Sequence, residues 1–184
     1  MKTLRSWVDP YSYRERYTMP KLLLLGTNDP YWVVDSLRHY WNELPEPKLV
    51  FQTPNVGHDL GGGREAIQTL AAFFQMIADG QELPKMTWSF GESSNGQPEL
   101  SVKVNQPAKH IRLWTADSDI RDMRHAKWTS RELEIKPGSS QANAEIAKPS
   151  NGYRAYLGEV VLSSATGQEY RLSTEARVTP DDLK

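Results

Sequence analysis

The sequence predicts a protein of the α/β plus β class: two parallel strands with helices, followed by a small antiparallel β-sandwich. Three observations carry this. Two short apolar runs, Leu22-Leu23-Leu24-Leu25 and Leu49-Val50-Phe51, alternate with segments of helical periodicity. That pattern makes a β/α layer. Beyond Pro84 the pattern changes to short strand-like stretches separated by Gly, Pro, Asn and Ser, as in an all-β unit. We therefore place a boundary near residue 82, with 1–82 as the β/α part and 83–184 as a sandwich of immunoglobulin or fibronectin kind, roughly a hundred residues long.

Each element follows from its residues. The run 22–25 is aliphatic at every position, as a parallel strand covered on both sides should be. Residues 31–44 place Val33, Val34, Leu37, Tyr40, Trp41 and Leu44 at helical spacing, which predicts a helix between the two strands. Residues 64–78 do the same with Ile67, Leu70, Ala71, Phe74 and Ile77, and Gly80 stands where a helix C-terminus favours glycine. In the second half, 86–90, 99–104, 110–115, 153–163 and 169–178 read as strands, with Ser163-Ser164-Ala165-Thr166-Gly167 joining the last two as a hairpin. The segment 138–151, rich in Ser, Ala and Asn, reads as a loop. Two parallel strands alone leave both outer edges unpaired. Either the strands dock on protein outside these residues, which is the favoured expectation, or the sandwich and dimerisation cover them.

Composition excludes several functions. The net charge of −1 leaves no electrostatic footprint for nucleic acid. The longest aliphatic run is far too short to span a bilayer, and residues 1–17 lack the apolar core of a signal peptide. The absence of cysteine removes disulfides, thiolate catalysis and cysteine-bound zinc. Asp117-Ser118-Asp119-Ile120-Arg121-Asp122 suggests a calcium loop, but the sixth position is Asp122 and the twelfth is Trp128, where such a loop needs Gly and Glu. Gly61-Gly62-Gly63 is followed by no Lys-Ser/Thr pair and is not a phosphate loop. No metal and no cofactor are expected.

Two residues carry the expected chemistry. Asp29 follows Gly26-Thr27-Asn28 at the C-terminal end of the first strand, and His58 follows Pro54-Asn55-Val56-Gly57 past the end of the second. Ligands and catalytic groups collect at that edge of an α/β sheet. An acid and then a histidine, one helix apart, is the order of the last two members of a Ser-Asp-His triad in an α/β-hydrolase. Each residue also has a plainer reading: Asp29 as a cap for a helix starting near Pro30, His58 as a surface-loop histidine. Asp35 is a poorer candidate acid because it falls inside the predicted helix. No G-x-S-x-G elbow occurs in these residues. The aromatic residues Trp7, Tyr11, Tyr13, Tyr17, Tyr31, Trp32, Tyr40 and Trp41 are expected mainly in the core, with Tyr31 and Trp32 on the substrate side because they adjoin Asp29.

Val8-Asp9-Pro10-Tyr11-Ser12-Tyr13-Arg14, Thr18-Met19-Pro20-Lys21, Gly26-Thr27-Asn28-Asp29, Leu44-Pro45-x-Pro47-Lys48 and Pro54-Asn55-x-Gly57-His58 together resemble the PhoPQ-activated pathogenicity-related protein family. Arg121-Asp122-Met123-Arg124 and Trp128 fit its later β region less closely. The resemblance implies membership of the α/β-hydrolase superfamily, Asp29 as triad acid, His58 as triad base and a nucleophilic serine upstream. It also implies a bacterial source and, given an upstream signal, export to the periplasm or beyond. The expectation is the C-terminal part of a serine hydrolase acting on a small-molecule ester or a peptide or other amide. Such a part is inactive alone, with a homodimer possible. The alternative is a complete protein starting at Met1, a non-catalytic binding module built on a hydrolase remnant and a β-sandwich.

Overall fold

A computed structural model describes residues 2–135 and 139–181. Met1, and Gly138 at the start of the predicted loop, lie outside them. The described chain is mostly β, with ten strands in three sheets and few helices. A short helix α1 (Lys2–Val8) and a 3-10 turn (Pro10–Arg16) lead into β1 (Lys21–Gly26). β2 (Lys48–Thr53) pairs parallel to it in full register, Lys21 opposite Lys48 through Gly26 opposite Thr53. α2 (Arg64–Ala78) follows.

The remaining strands are antiparallel: β3 (Met86–Glu92), β4 (Pro98–Val104), β5 (His110–Ser118), β6 (Thr129–Glu132), β7 (Gln141–Glu145), β8 (Tyr153–Ser163), β9 (Glu169–Ser173) and β10 (Arg177–Thr179). One sheet has the order β3-β4-β7. The other has the order β10-β8-β5-β6, with β9 also on β8. Both sheets contribute to one apolar core, through Leu100, Val102 and Ala144 from the first and Ile111, Val160 and Leu172 from the second. Leu49 and the α2 residues Ala72, Phe73 and Met76 join the same core. The β/α layer is therefore packed onto the antiparallel sheets.

The structure corrects four expectations. Residues 31–44 form no α-helix but bends and two short 3-10 turns, Ser36–His39 and Trp41–Glu43. The backbone bonds here span three residues, as in Arg38 N–H to Asp35 O and Tyr40 N–H to Leu37 O. The Val34 carbonyl, which an α-helix would need for Arg38, instead accepts from the buried Gln52 side chain at 2.9 Å. Val34, Leu37 and Trp41 are buried all the same, whereas Val33 is exposed.

Helix α2 forms where predicted but docks by a different face. Ala66, Thr69, Ala72, Phe73 and Met76 are buried, while Ile67 and Phe74 are 60% and 61% exposed. The reason lies at the edge of β9. The Thr69 hydroxyl accepts from Arg171 N–H at 3.1 Å and donates to Arg171 O at 3.3 Å. Two flanking alanines on that face leave room for this close approach. Gly80 ends the helix as expected: at φ 64° it occupies the left-handed position. Gln81 N–H reaches back to Met76 O and Gly80 N–H to Ile77 O, the paired bonds of a Schellman motif.

The third correction concerns strands. The predicted run 169–178 is two strands, because Ala176 N–H turns away to Gln52 Oε1 at 2.7 Å. β7 lies inside the predicted loop 138–151, and β6 was not predicted at all. The fourth concerns the aromatic residues. Trp41 is buried, but Trp7 and Tyr11 are exposed rather than in the core; Tyr31 and Trp32, which were not expected in the core, are exposed as well. The strand edges also behave unequally: Leu49, Val50 and Phe51 of β2 are buried within the chain, whereas Leu22 to Leu25 of β1 are only half-buried.

Candidate functional site

Because β1 and β2 are parallel and in register, both leave the sheet at the same level. Thr27 N–H continues the ladder to Thr53 O at 3.0 Å, and Asn28 N–H reaches Val56 O at 2.9 Å. The two turns touch so closely that Gly26 cannot carry a side chain. A Cβ there would lie 2.3 Å from Gly57 O and 2.5 Å from Val56 O, well inside contact distance. Gly26 thus sets how near the His58 turn can come to the Asp29 turn.

The result is a direct pairing. His58 Nδ1 lies 2.8 Å from Asp29 Oδ2. The carboxylate accepts, so Nδ1 is the donor, and in the neutral ring Nε2 is then the acceptor. No protein partner binds Nε2 among the described residues. Asp29 is 6% exposed, while the His58 side chain is 61% exposed. The other carboxylate oxygen, Oδ1, accepts the N–H groups of Tyr31 at 2.8 Å and Trp32 at 3.2 Å. Asp29 therefore both shapes the following turn and holds the histidine, one oxygen for each. Burial pushes its carboxyl up. The bonds from His58, Tyr31 and Trp32, with the imidazole charge, outweigh that and hold it below its ordinary value.

Tyr31 meets the His58 ring edge-on, with centroids 5.2 Å apart and planes at 88°. Tyr31 and Trp32 are both exposed and line a cleft of about 330 Å³ together with Thr27, Asp29, Val33 and Asp35. Its far wall is Arg121, Asp122, Met123 and Arg124. Asp35 belongs to no acid–base pair. It is buried against Arg121, 2.7 Å away, and Arg38, 3.5 Å away. Arg38 in turn forks onto Asp181 at 2.9 and 2.6 Å. In the rejected calcium segment, Asp117 is forked by Arg154 and Asp122 is bonded by the side chain and N–H of Arg124, which hold its carboxyl at about 2. Among the described residues no group of three or more metal-ligating side chains converges.

Sequence reasoning missed the residues that join this site to the antiparallel sheets. Asn28 Nδ2 lies within bonding distance of three carbonyls, Met123 at 3.3 Å, Arg124 at 3.0 Å and Ala126 at 2.8 Å. Asn55 pairs with the backbone of Trp128, accepting its N–H at 2.8 Å and donating to its carbonyl at 3.0 Å. The available signal was position: each asparagine stands within two residues of a strand end, in the same short words that contain the acid and the histidine.

The fold and site define a mostly β protein with a parallel β/α layer presenting an Asp-His pair at its strand ends. A sequence profile of the family described as PhoPQ-activated pathogenicity-related protein matches residues 1–124, and the chain belongs to that family. The chain is also 28% identical, over 211 aligned positions, to autocrine proliferation repressor protein A of Dictyostelium discoideum. That alignment covers all of the chain and 42% of the relative, so the chain spans less than half of that protein's length. No solved structure matches. Among the described residues no helix is long and apolar enough to cross a membrane.

Proposed function

We propose that this chain supplies the acid and the base of a Ser-Asp-His hydrolase, with the serine contributed by protein outside these residues. The observation that carries the reading is the 2.8 Å bond from His58 Nδ1 to the buried Asp29 carboxylate, with Nε2 open. In the reaction a serine hydroxyl attacks an ester or amide carbonyl. His58 Nε2 takes its proton and returns it to the leaving group, while Asp29 keeps Nδ1 protonated and stabilises the imidazolium. Tyr31 and Trp32, exposed beside the pair, are the residues we assign to the substrate. The parts 1–82 and 83–184 are read as the end of a hydrolase domain and a β-sandwich, sharing a core.

Two surfaces support a serine from elsewhere. Among the described residues β1 pairs on one edge only, with its leucines half-buried. The outer face of α2 exposes Ile67, Phe74 and Ile77. A further parallel strand and its crossover would cover both. The test is turnover of an activated acyl ester. The isolated 184-residue chain shows none that His58→Ala abolishes. A longer native protein containing it loses on the order of 10⁴-fold on His58→Ala. Unchanged turnover in that variant would refute the proposal and favour a binding module.

A further inference from the structure

The Asp29–His58 bond joins two separate turns, which also meet each other directly through Asn55 N–H to the Thr27 hydroxyl. Asn28 N–H to Val56 O and the Gly26 contact bring them together. A second set of bonds to both turns comes from residues 123–128, which arrive from the antiparallel sheets. Their ends are rigid: Met123 and Trp128 are buried in a cluster with Ala155, Leu157 and Val178. Between those anchors the segment offers its backbone to two asparagines, one from each turn.

The bonds form one continuous path. Asn28 spends its Nδ2 hydrogens on the carbonyls of 123–126, and its Oδ1 accepts from the Thr27 hydroxyl at 2.8 Å. That hydroxyl accepts Asn55 N–H at 2.9 Å. Asn55 then closes onto Trp128 by both ends of its amide. Asn55 stands at φ 61°, a left-handed conformation that asparagine tolerates better than most residues. A path that touches both turns and a core-anchored segment has a single geometry in which all its bonds are made.

We infer that Asn28 and Asn55 are positioning residues, which set the Asp29–His58 geometry by clamping residues 123–128 across the two strand-end turns. The antiparallel sheets are then part of the acid–base machinery and not an appended module. The inference rests on the hydrolase reading for its consequence, although the clamp itself is a property of this chain alone. Through it, Asn55→Gly in the longer native protein lowers kcat by about 10²-fold, the effect of misplacing a catalytic group by about 1 Å, with KM little changed.

The deciding experiment is proton NMR of the 184-residue chain in the cold. The wild type shows a low-field imidazole N–H resonance that Asp29→Asn removes, which assigns it to His58 Nδ1. Asn55→Gly keeps the left-handed backbone and deletes only the amide. Asn28→Ala is the second variant, at a position without that constraint. In both, the amide pattern of β5 and β8 is retained while exchange of the His58 N–H with water rises about tenfold, the factor that loss of a hydrogen bond or two allows. An unchanged N–H in folded variants whose 123–128 amides have shifted would overturn the inference, since the asparagines would then hold the loop alone. A wild type without the Asp29-dependent resonance would overturn it as well. The first result leaves the hydrolase reading untouched, the second removes the bond on which that reading also rests, and His58→Ala turnover tests the hydrolase reading on its own.

Discussion

β1 and β2 have the same length, pair residue for residue and both carry an apolar run, yet they are buried very differently. Phe51 of β2 is fully buried, and Leu49 and Val50 beside it are nearly so, whereas each leucine of β1 is half-buried. α2 repeats the contrast at neighbouring positions, with Phe73 at 7% exposure and Phe74 at 61%. The layer has a closed side, sealed by the antiparallel sheets, and an open side. Large apolar residues occupy both sides. What differs is whether the chain holds something to cover it.

The largest expected effect lies on the closed side. Phe51→Ala loses about 3–5 kcal/mol of stability, while Leu24→Ala on the open side loses about 1–2 kcal/mol. Urea unfolding measures both, and equal losses would break the comparison. Next comes Gly26→Ala at the boundary between the two turns. Its added carbon meets the carbonyls of Val56 and Gly57, so it costs about 1–3 kcal/mol and displaces His58 from Asp29.

A pH-dependent difference follows for Asp29→Asn. The folded-state carboxyl lies below its ordinary value of 3.8. A depressed acid stabilises the fold above its unfolded value and loses that contribution as pH falls through the folded one. The stability gap between wild type and Asp29→Asn is therefore full above the ordinary carboxylate range and closes in stronger acid. Urea midpoints at several pH values check this, and a gap that widens in acid would contradict it. The smallest effect belongs to the open face: Phe74→Ser changes stability by no more than about 0.5 kcal/mol. A loss like that of a buried phenylalanine would mean the face is covered.

The same contrast explains what could be read from sequence. β1, β2 and β8 were legible because each has short apolar runs bounded by turn-forming residues. The existence of α2 and its Gly80 cap were legible from periodicity, but its docking face was not. Large apolar residues occupy the open side, and the closed side uses Ala66, Ala72 and Thr69 to approach β9. β7 was hidden because its buried positions are the alanines 142 and 144, and β6 because all its residues are exposed. The helix expected at 31–44 lost to tertiary bonds, chiefly Gln52 to Val34. That Asp29 and His58 stand past the ends of β1 and β2 was legible from the order of the residues. The asparagines stand at the same strand ends, but their bonds were not legible, because their partners lie about 70 to 100 residues away.

In the proposed function the Asp29–His58 pair serves a serine held outside these residues. The most direct measurement is peptide mapping of the native protein from its source cells after reaction with a serine-directed phosphonate. The account predicts a species much larger than 20.9 kDa, with the label on the serine of a G-x-S-x-G segment and labelling slowed by His58→Ala. A native species of 20.9 kDa that takes up no label would contradict it.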